Sequence, residues 1–248
     1  MRIDHPLPGD QRALRQLWQA SFGDTDAFLD IFFSTAFAPE RCVCIQQDGQ
    51  ILAAAYWLDC QIGEEKAAYI YAVATAQEHR GQGYCRRLMD HIHSMLSQRG
   101  YCGSLLVPGD GALRRMYHGM GYRNFGGMQE DICTAQSPSA QLQGLDPAEF
   151  AALRRQYLPE NGVLQEDATL QLLSHVADFY AGKDFMLAIS REEPKILELL
   201  GNTDAAAGIA YALHLPQVSI RTPGTSPFAM YRPLQGNKIP SYFGFALD

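Results

Sequence analysis

Apolar residues recur along this chain with two different periods, and the switches between them outline an alternation of strands and helices. Residues 2–7 read as a short edge strand closed by Pro6 and Pro8. Leu14, Leu17, Trp18, Ser21 and Phe22 then follow helical spacing until Gly23 stops the run. Asp24 is placed to cap a second helix with Phe28, Ile31 and Phe32 on one face. Residues 41–46 and 51–61 are strand-like and are joined by Gln47-Asp48-Gly49, a hairpin turn signal. After the turn Glu64-Glu65-Lys66 comes a nearly all-apolar run, 67–75, as in a strand covered on both faces. Tyr84, Leu88, Ile92, Met95 and Leu96 return to helical spacing, with Gly100 as the C-terminal stop. Residues 101–107 read as a further strand and 111–121 as a short helix.

After Ile132 the texture changes to Thr-Ala-Gln-Ser-Pro-Ser-Ala-Gln, small and polar, a linker by composition. Beyond it one helical pattern runs through Phe150, Leu153 and Tyr157, and another through Leu170, Leu173, Val176 and Phe179-Tyr180. Strand-like runs at 185–190 and 196–200 precede a helix over 204–214, and three further strands are expected at 217–222, 228–232 and 242–247. The expected organisation is an α/β domain over residues 1–135 followed by a smaller α+β domain over residues 140–248.

Length and charge narrow what such a chain does. With 248 residues, 47% hydrophobic and 19% charged, it has the composition of a folded protein with a core of its own. A net charge of −7 disfavours non-specific nucleic-acid binding and anionic membrane surfaces, and mildly favours a cationic or amine-bearing ligand. The six cysteines (Cys42, Cys44, Cys60, Cys85, Cys102, Cys133) form no CxxC pair and are expected to be reduced, mostly buried thiols. The N-terminal residues lack a signal-peptide core, and the longest apolar stretches fall short of the ~20 residues of a membrane helix. A soluble, cytoplasmic protein is the expectation.

Candidate chemistry is concentrated where the 67–75 strand meets the next helix, in Arg80-Gly81-Gln82-Gly83-Tyr84-Cys85-Arg86. Glycines let a backbone approach a ligand closely, and the free N–H groups of a helix N-terminus suit a phosphate or pyrophosphate. Arg80, Arg86 and Arg87 add positive charge there in a chain that is acidic overall. A Walker A loop is absent, and the dinucleotide fingerprint fails because Arg86 stands at its third glycine. The plainer alternative is a corner between strand and helix that binds nothing. A second segment weighs against it: Tyr117, in Leu113-Arg-Arg-Met-Tyr-His-Gly-Met-Gly-Tyr122, belongs to a short helix expected at the same carboxyl end of a parallel sheet. A tyrosine merely packing its ring on the sheet is the bland reading of Tyr117.

The pairing of R-G-x-G after a V-A-T strand with L-x-x-x-Y-x-x-x-G-Y resembles the GNAT superfamily of acyl-CoA-dependent N-acyltransferases, and the wording around the loop is closest to its multi-domain Eis-like branch. The likeness is good over about residues 40–125, while the second half resembles a degenerate, GNAT-like accessory domain. What the resemblance implies is a GNAT fold, a mixed central sheet flanked by helices, with acetyl-CoA as cosubstrate and no metal. The backbone of Val73 and Thr75 would hydrogen-bond the pantetheine arm, and Arg80, Gly81, Gln82, Gly83, Tyr84, Cys85 and Arg86 would cradle the pyrophosphate. Tyr117 would be the general acid that protonates the departing thiolate. Two departures stand out: Cys85 occupies the loop's last small position, and Pro108-Gly109-Asp110-Gly111 replaces a frequent asparagine.

The acceptor is expected to be a primary amine of a small molecule or a peptide, with an acyl-CoA-binding sensor or an interaction protein without turnover as the alternative. The 67–75 strand contains no carboxylate to act as a base. Asp59, Glu64, Glu65, Glu78, a water chain or the terminal carboxylate of Asp248 stay open for that role. Cys85 as an acyl-accepting nucleophile lacks a placed histidine partner, and His91 and His93, two apart on a helix, do not make a metal pair. His79 and His118 flank the proposed site. Trp18, Phe22, Phe28, Phe32 and Phe33 are expected in the core with one or two lining the acceptor pocket, and Phe228, Tyr231, Tyr242 and Phe243 in the second domain's packing.

Overall fold

In the computed structural model, which describes residues 1–165, 167–235 and 238–246, the first half alternates as the sequence pattern implies. Its elements are β1 (Arg2–Asp4), α1 (Gln11–Phe22), α2 (Asp26–Thr35), β2 (Cys42–Gln47), β3 (Gln50–Ile62), β4 (Glu65–Thr75), α3 (Tyr84–Gln98), β5 (Gly103–Leu106), α4 (Gly111–His118) and β6 (Arg123–Thr134). The second half adds β7 (Gln143–Leu145), α5 (Pro147–Tyr157), β8 (Val163–Gln165), α6 (Asp167–Val176), β9 (Ala177–Ala181), β10 (Phe185–Ser190), β11 (Lys195–Gly201), α7 (Ala206–Ala212), β12 (Gln217–Pro223) and β13 (Ser226–Pro233).

The local devices are visible. Asp48 and Gly49 both take positive φ, which is the backbone of the two-residue turn joining β2 to β3. Gly23 ends α1 in the left-handed conformation. The cap of α2 is Thr25, whose hydroxyl accepts from the Phe28 N–H, and Asp24 instead accepts the indole N–H of Trp18 at 2.7 Å. The helical run through Leu170 and Leu173 ends at Val176, and Phe179-Tyr180 lie in β9. No strand forms over residues 242–246, and residue 247 lies outside the described residues. Tyr242, Phe243 and Phe245 are buried all the same.

All the strands join one mixed sheet in the order β1-β2-β3-β4-β5-β13-β6-β12-β11-β10-β9-β7, with β8 against the end of β3. β13, which comes from beyond residue 140, lies antiparallel between β5 and β6, pairing Tyr231 with both Leu105 and Arg123. The sheet of the first half is therefore completed by a strand from the second half. α1 and α2 pack on one face of β3 and β4 through Trp18, Phe32, Tyr56 and Tyr69. α3 and α4 pack on the other through Leu88, Ile92, Tyr117 and Tyr122. No described helix is long and apolar enough to cross a membrane.

Candidate active site

A cleft forms because two neighbouring strands part company. β4 and β5 run parallel and pair only from Ala67–Gly103 to Tyr69–Leu105. Beyond Tyr69 the β5-facing edge of β4 has no strand partner among the described residues. A bulge opposite Ala55 shifts the register between Ala54 and Tyr56, and Ala72 there takes φ +49. A bulge bends its strand and re-aims its residues, and a left-handed alanine costs of order 1 kcal/mol that the surrounding sheet must hold. The gap between the strands is the throat of a cavity of about 940 Å³ that reaches both faces of the sheet.

On the α3 face the cavity is lined by Val73, Thr75, Arg80, Gly81, Gly83, Tyr84, Cys85, Arg86 and Tyr117. Gly81 and Gly83 have φ +75 and +80, and a Cβ on either would meet nothing within 4 Å, so the dihedral and not the space asks for glycine. Gly83 is the N-cap of α3 and supplies no side-chain cap. The N–H groups of Tyr84, Cys85 and Arg86 therefore have no intrahelical acceptor, and the positive end of the helix dipole stands behind them. No described carboxylate pairs with Arg80, Arg86 or Arg87. The Arg80 Nε donates to the Thr75 carbonyl at 3.1 Å, tying the loop back to the strand. Gln82 alone of the expected loop residues does not line the cavity, and its amide donates to the Glu78 carbonyl at 3.2 Å.

Tyr117 stands at the throat, 6% exposed, on the last turn of α4. Its helix is capped by the Asp110 carboxylate, which accepts from the Leu113 N–H at 2.7 Å. Burial, then the neighbouring Cys85 and Tyr122, push the Tyr117 hydroxyl well above the ordinary tyrosine value, so it keeps its proton at neutral pH. Burial also pushes the Cys85 thiol up to about 11, which disfavours the thiolate.

On the α1 face the lining is Trp18, Ser21, Phe22, Asp24, Tyr69 and Tyr71. Asp24 is the single acidic side chain among the described residues that line the cavity, and sequence reasoning had assigned it to a helix cap. The other carboxylates considered as bases lie elsewhere. Asp59 accepts from the Tyr101 hydroxyl and pairs with Lys66 at 3.1 Å, and Glu65 pairs with Lys238 at 3.6 Å. Glu64 and Glu78 are exposed and outside the lining, and Asp248 falls outside the described residues. His79 lines the cavity and His118 does not. His93 is buried while His91 is half-buried, and no metal-holding cluster occurs among the described residues.

Residues 3–125 match a family model described as the GNAT acetyltransferase domain. This chain carries a GNAT domain. The fold of the whole chain is shared with the GCN5-related N-acetyltransferase of Anabaena variabilis (TM-score 0.74, 16% identity, covering 94% of this chain and 72% of that one). It is shared likewise with the GCN5-related N-acetyltransferase of Kribbella flavida (TM-score 0.71, 15% identity, 94% and 71%). Eis1 of Mycobacterium abscessus follows the same course (TM-score 0.67, 12% identity, 94% and 74%), in keeping with an Eis-like layout. No curated protein matches the sequence. The chemistry of the GNAT domain is acyl transfer from an acyl-CoA.

Proposed function

We propose that this GNAT domain moves an acetyl group from acetyl-CoA directly to a primary amine, with the cosubstrate on the α3 face and the amine on the α1 face. The observation that carries the reading is Tyr117 at the junction of one cavity whose two ends differ in charge. One end has an arginine loop at a helix N-terminus, with no carboxylate partner among the described residues, and the other has a carboxylate among aromatic rings. The coenzyme's pyrophosphate fits the N–H groups of Gly83 to Arg86 and the guanidinium groups of Arg80 and Arg86. Its pantetheine arm fits the β5-facing edge of β4 at Val73 and Thr75, which no described strand covers and which acts toward it as a sheet edge toward an added strand.

The thioester carbonyl then lies in the throat. The amine nitrogen attacks the carbonyl carbon, the carbon–sulfur bond breaks, and its electron pair goes to sulfur. Tyr117 gives sulfur a proton, the amine gives one of its own to solvent, and solvent reprotonates Tyr117, so the products are an acetamide and a free thiol. A backbone donor near the bulge that meets the developing oxyanion is worth about 3 kcal/mol. Burial of Tyr117 keeps it protonated until sulfur demands the proton.

Calorimetric titration with acetyl-CoA tests the cosubstrate half. Wild-type protein is expected to bind with a micromolar Kd, and Gly83→Asp to weaken binding at least tenfold, about 1.4 kcal/mol. The aspartate has room but sits at φ +80 and brings a negative charge to the anion site. Wild-type protein that binds no acetyl-CoA overturns the assignment.

Asp24 carries the acceptor half. Its carboxylate, already held by the Trp18 indole, faces the cavity beside Tyr69 and Tyr71 and attracts the ammonium form of an incoming amine. Asp24→Asn keeps an oxygen for the indole and removes the charge. The expected result is a KM for the amine raised about tenfold, the loss of one charge-assisted hydrogen bond, with the acetyl-CoA Kd unchanged. An unchanged KM in steady-state kinetics rules Asp24 out.

A further inference from the structure

Behind Tyr117, on the side away from the cavity, lies a polar chain that the acyl-transfer chemistry does not use. His93 of α3 is 3% exposed; one ring nitrogen, Nε2, lies 2.8 Å from the Tyr122 hydroxyl, and the other, Nδ1, lies 2.8 Å from Arg232 Nη1. The Tyr122 hydroxyl lies 2.9 Å from the Ser104 hydroxyl, and both residues are fully buried. The same Arg232 Nη1 donates to the Met120 carbonyl at 2.8 Å, so both of its hydrogens are spent inside the molecule.

A guanidinium only donates, and it stays charged at any pH a protein survives. Arg232 therefore makes Nδ1 of His93 an acceptor and leaves the ring proton on Nε2, where it is donated to Tyr122. The Tyr122 hydroxyl shares a further hydrogen bond with the Ser104 hydroxyl. One fixed charge thus sets the direction of the run from Arg232 through His93 to Tyr122. Burial, reinforced by Arg232, pushes the His93 pKa down to about 3, so the imidazole stays neutral and the direction does not reverse near neutrality.

The chain ends against the catalytic tyrosine. The Tyr122 ring meets the Tyr117 ring edge-on at 5.7 Å. Two carbonyls just after α4 are each held by a guanidinium group. Arg86 of the loop helix donates to Gly119 at 3.2 Å, and Arg232 donates to Met120. An eight-residue helix is marginal by itself, so its direction is set by such ties and by its packing.

We propose that Arg232, carried on the strand the second half of the chain inserts into the GNAT sheet, is a positioning residue for Tyr117, acting through the Met120 carbonyl and the His93–Tyr122–Ser104 chain. The proposal rests on the acyl-transfer reading. It assigns to the second half a part in catalysis, since the excised first half would lack both β13 and the clamp.

The test compares Arg232→Met, Arg232→Lys and Tyr122→Phe with wild type in kcat, acetyl-CoA Kd and thermal midpoint, and reads the His93 tautomer by nitrogen-15 NMR of histidine-labelled protein. Arg232→Met is expected to lower kcat about tenfold or more, as a small displacement of a reacting group does, with Kd within about twofold. Arg232→Lys, which keeps charge and a donor, recovers most of the loss. Tyr122→Phe keeps the ring and breaks the chain, and is expected to lower kcat about threefold. Wild-type His93 shows its proton on Nε2. An unchanged kcat in Arg232→Met, a loss that tracks unfolding or Kd, or a proton on Nδ1 overturns the proposal. If Arg232→Met does not fold, an unchanged kcat in Tyr122→Phe does so. Wild-type protein that binds acetyl-CoA and acetylates no amine removes the acyl-transfer reading and this proposal with it, whereas wild-type turnover with an indifferent Arg232→Met removes this proposal alone.

Discussion

Tyr117→Phe is expected to lower kcat for amine acetylation by about 10²- to 10³-fold while the acetyl-CoA Kd and the thermal midpoint barely move. The ring does the packing: its edge contact with Tyr122 and its place in the core beneath α3 survive the change. The hydroxyl is the only atom lost, and within the described residues it makes no hydrogen bond that folding would miss. Its value is therefore confined to the moment when sulfur acquires charge. The thiolate leaves into a cavity walled by Val73, Met116 and Met120, where an anion is poorly solvated and a proton donor matters more than it would in water. Single-turnover release of free thiol with a dye separates the outcomes. A loss in kcat at constant Kd fits the acid, and a loss in Kd means that Tyr117 is a binding residue. No loss at all means that solvent supplies the proton, or that the chain is a sensor whose slow turnover is incidental.

How much of this was legible depended on whether the cause was local. The β2–β3 hairpin is written into Asp48-Gly49, and the turn from β4 into α3 into Gly81 and Gly83, because dihedral constraints act within two or three residues. Tyr117 followed from the same locality, a short helix at the end of a strand that runs parallel to its neighbour. β6 was not legible. Its 12 residues include Gly126 and Gly127 and show no clean alternation, and they are extended because β12 and β13 pair on either side. Gly127 marks the closeness of that approach: a Cβ there would lie 1.7 Å from the Gly224 carbonyl oxygen. The run through Phe179 keeps helical spacing by accident, and the tertiary contact wins: Phe179 stacks on Phe150 with centroids 4.1 Å apart. Residues 242–246 have a strand's composition and are no strand, since their aromatic rings serve two cores. Phe243 meets Tyr69 at 4.9 Å, and Phe245 meets Phe150 at 5.7 Å. Asp24 and Arg232 were out of reach for the same reason. One was hidden behind a helix-cap pattern that Thr25 fulfils, and the other is a single arginine more than 100 residues in sequence from the Met120 carbonyl it holds.

The largest effect on stability is expected far from the cavity. Glu198→Ala should destabilise the protein by about 3–5 kcal/mol and lower the thermal midpoint by on the order of 10 °C. Arg154 and Glu198 are each 1% exposed and meet in a fork, Nε to Oε2 at 2.6 Å and Nη2 to Oε1 at 2.9 Å. Burial would drive the proton off the guanidinium, and Glu198 more than offsets it, raising the Arg154 pKa. Alanine leaves that charge in a core of Phe150, Phe179 and Phe245 with the Val163 carbonyl, 3.2 Å from Nη1, as its remaining hydrogen-bond partner among the described residues. A buried pair often adds little over apolar residues of the same size, so Arg154→Met/Glu198→Leu is expected to be more stable than Glu198→Ala alone. Differential scanning calorimetry decides it: a double variant no more stable than Glu198→Ala means that the stranded guanidinium is not what destabilises the single variant. Val163 extends the argument to the site. Its carbonyl is held by Arg154 and its N–H donates to Tyr242, next to the Phe243 that backs Tyr69 of the acceptor wall. A stabilising background that lets Glu198→Ala fold should therefore show a raised KM for the amine and an unaltered acetyl-CoA Kd.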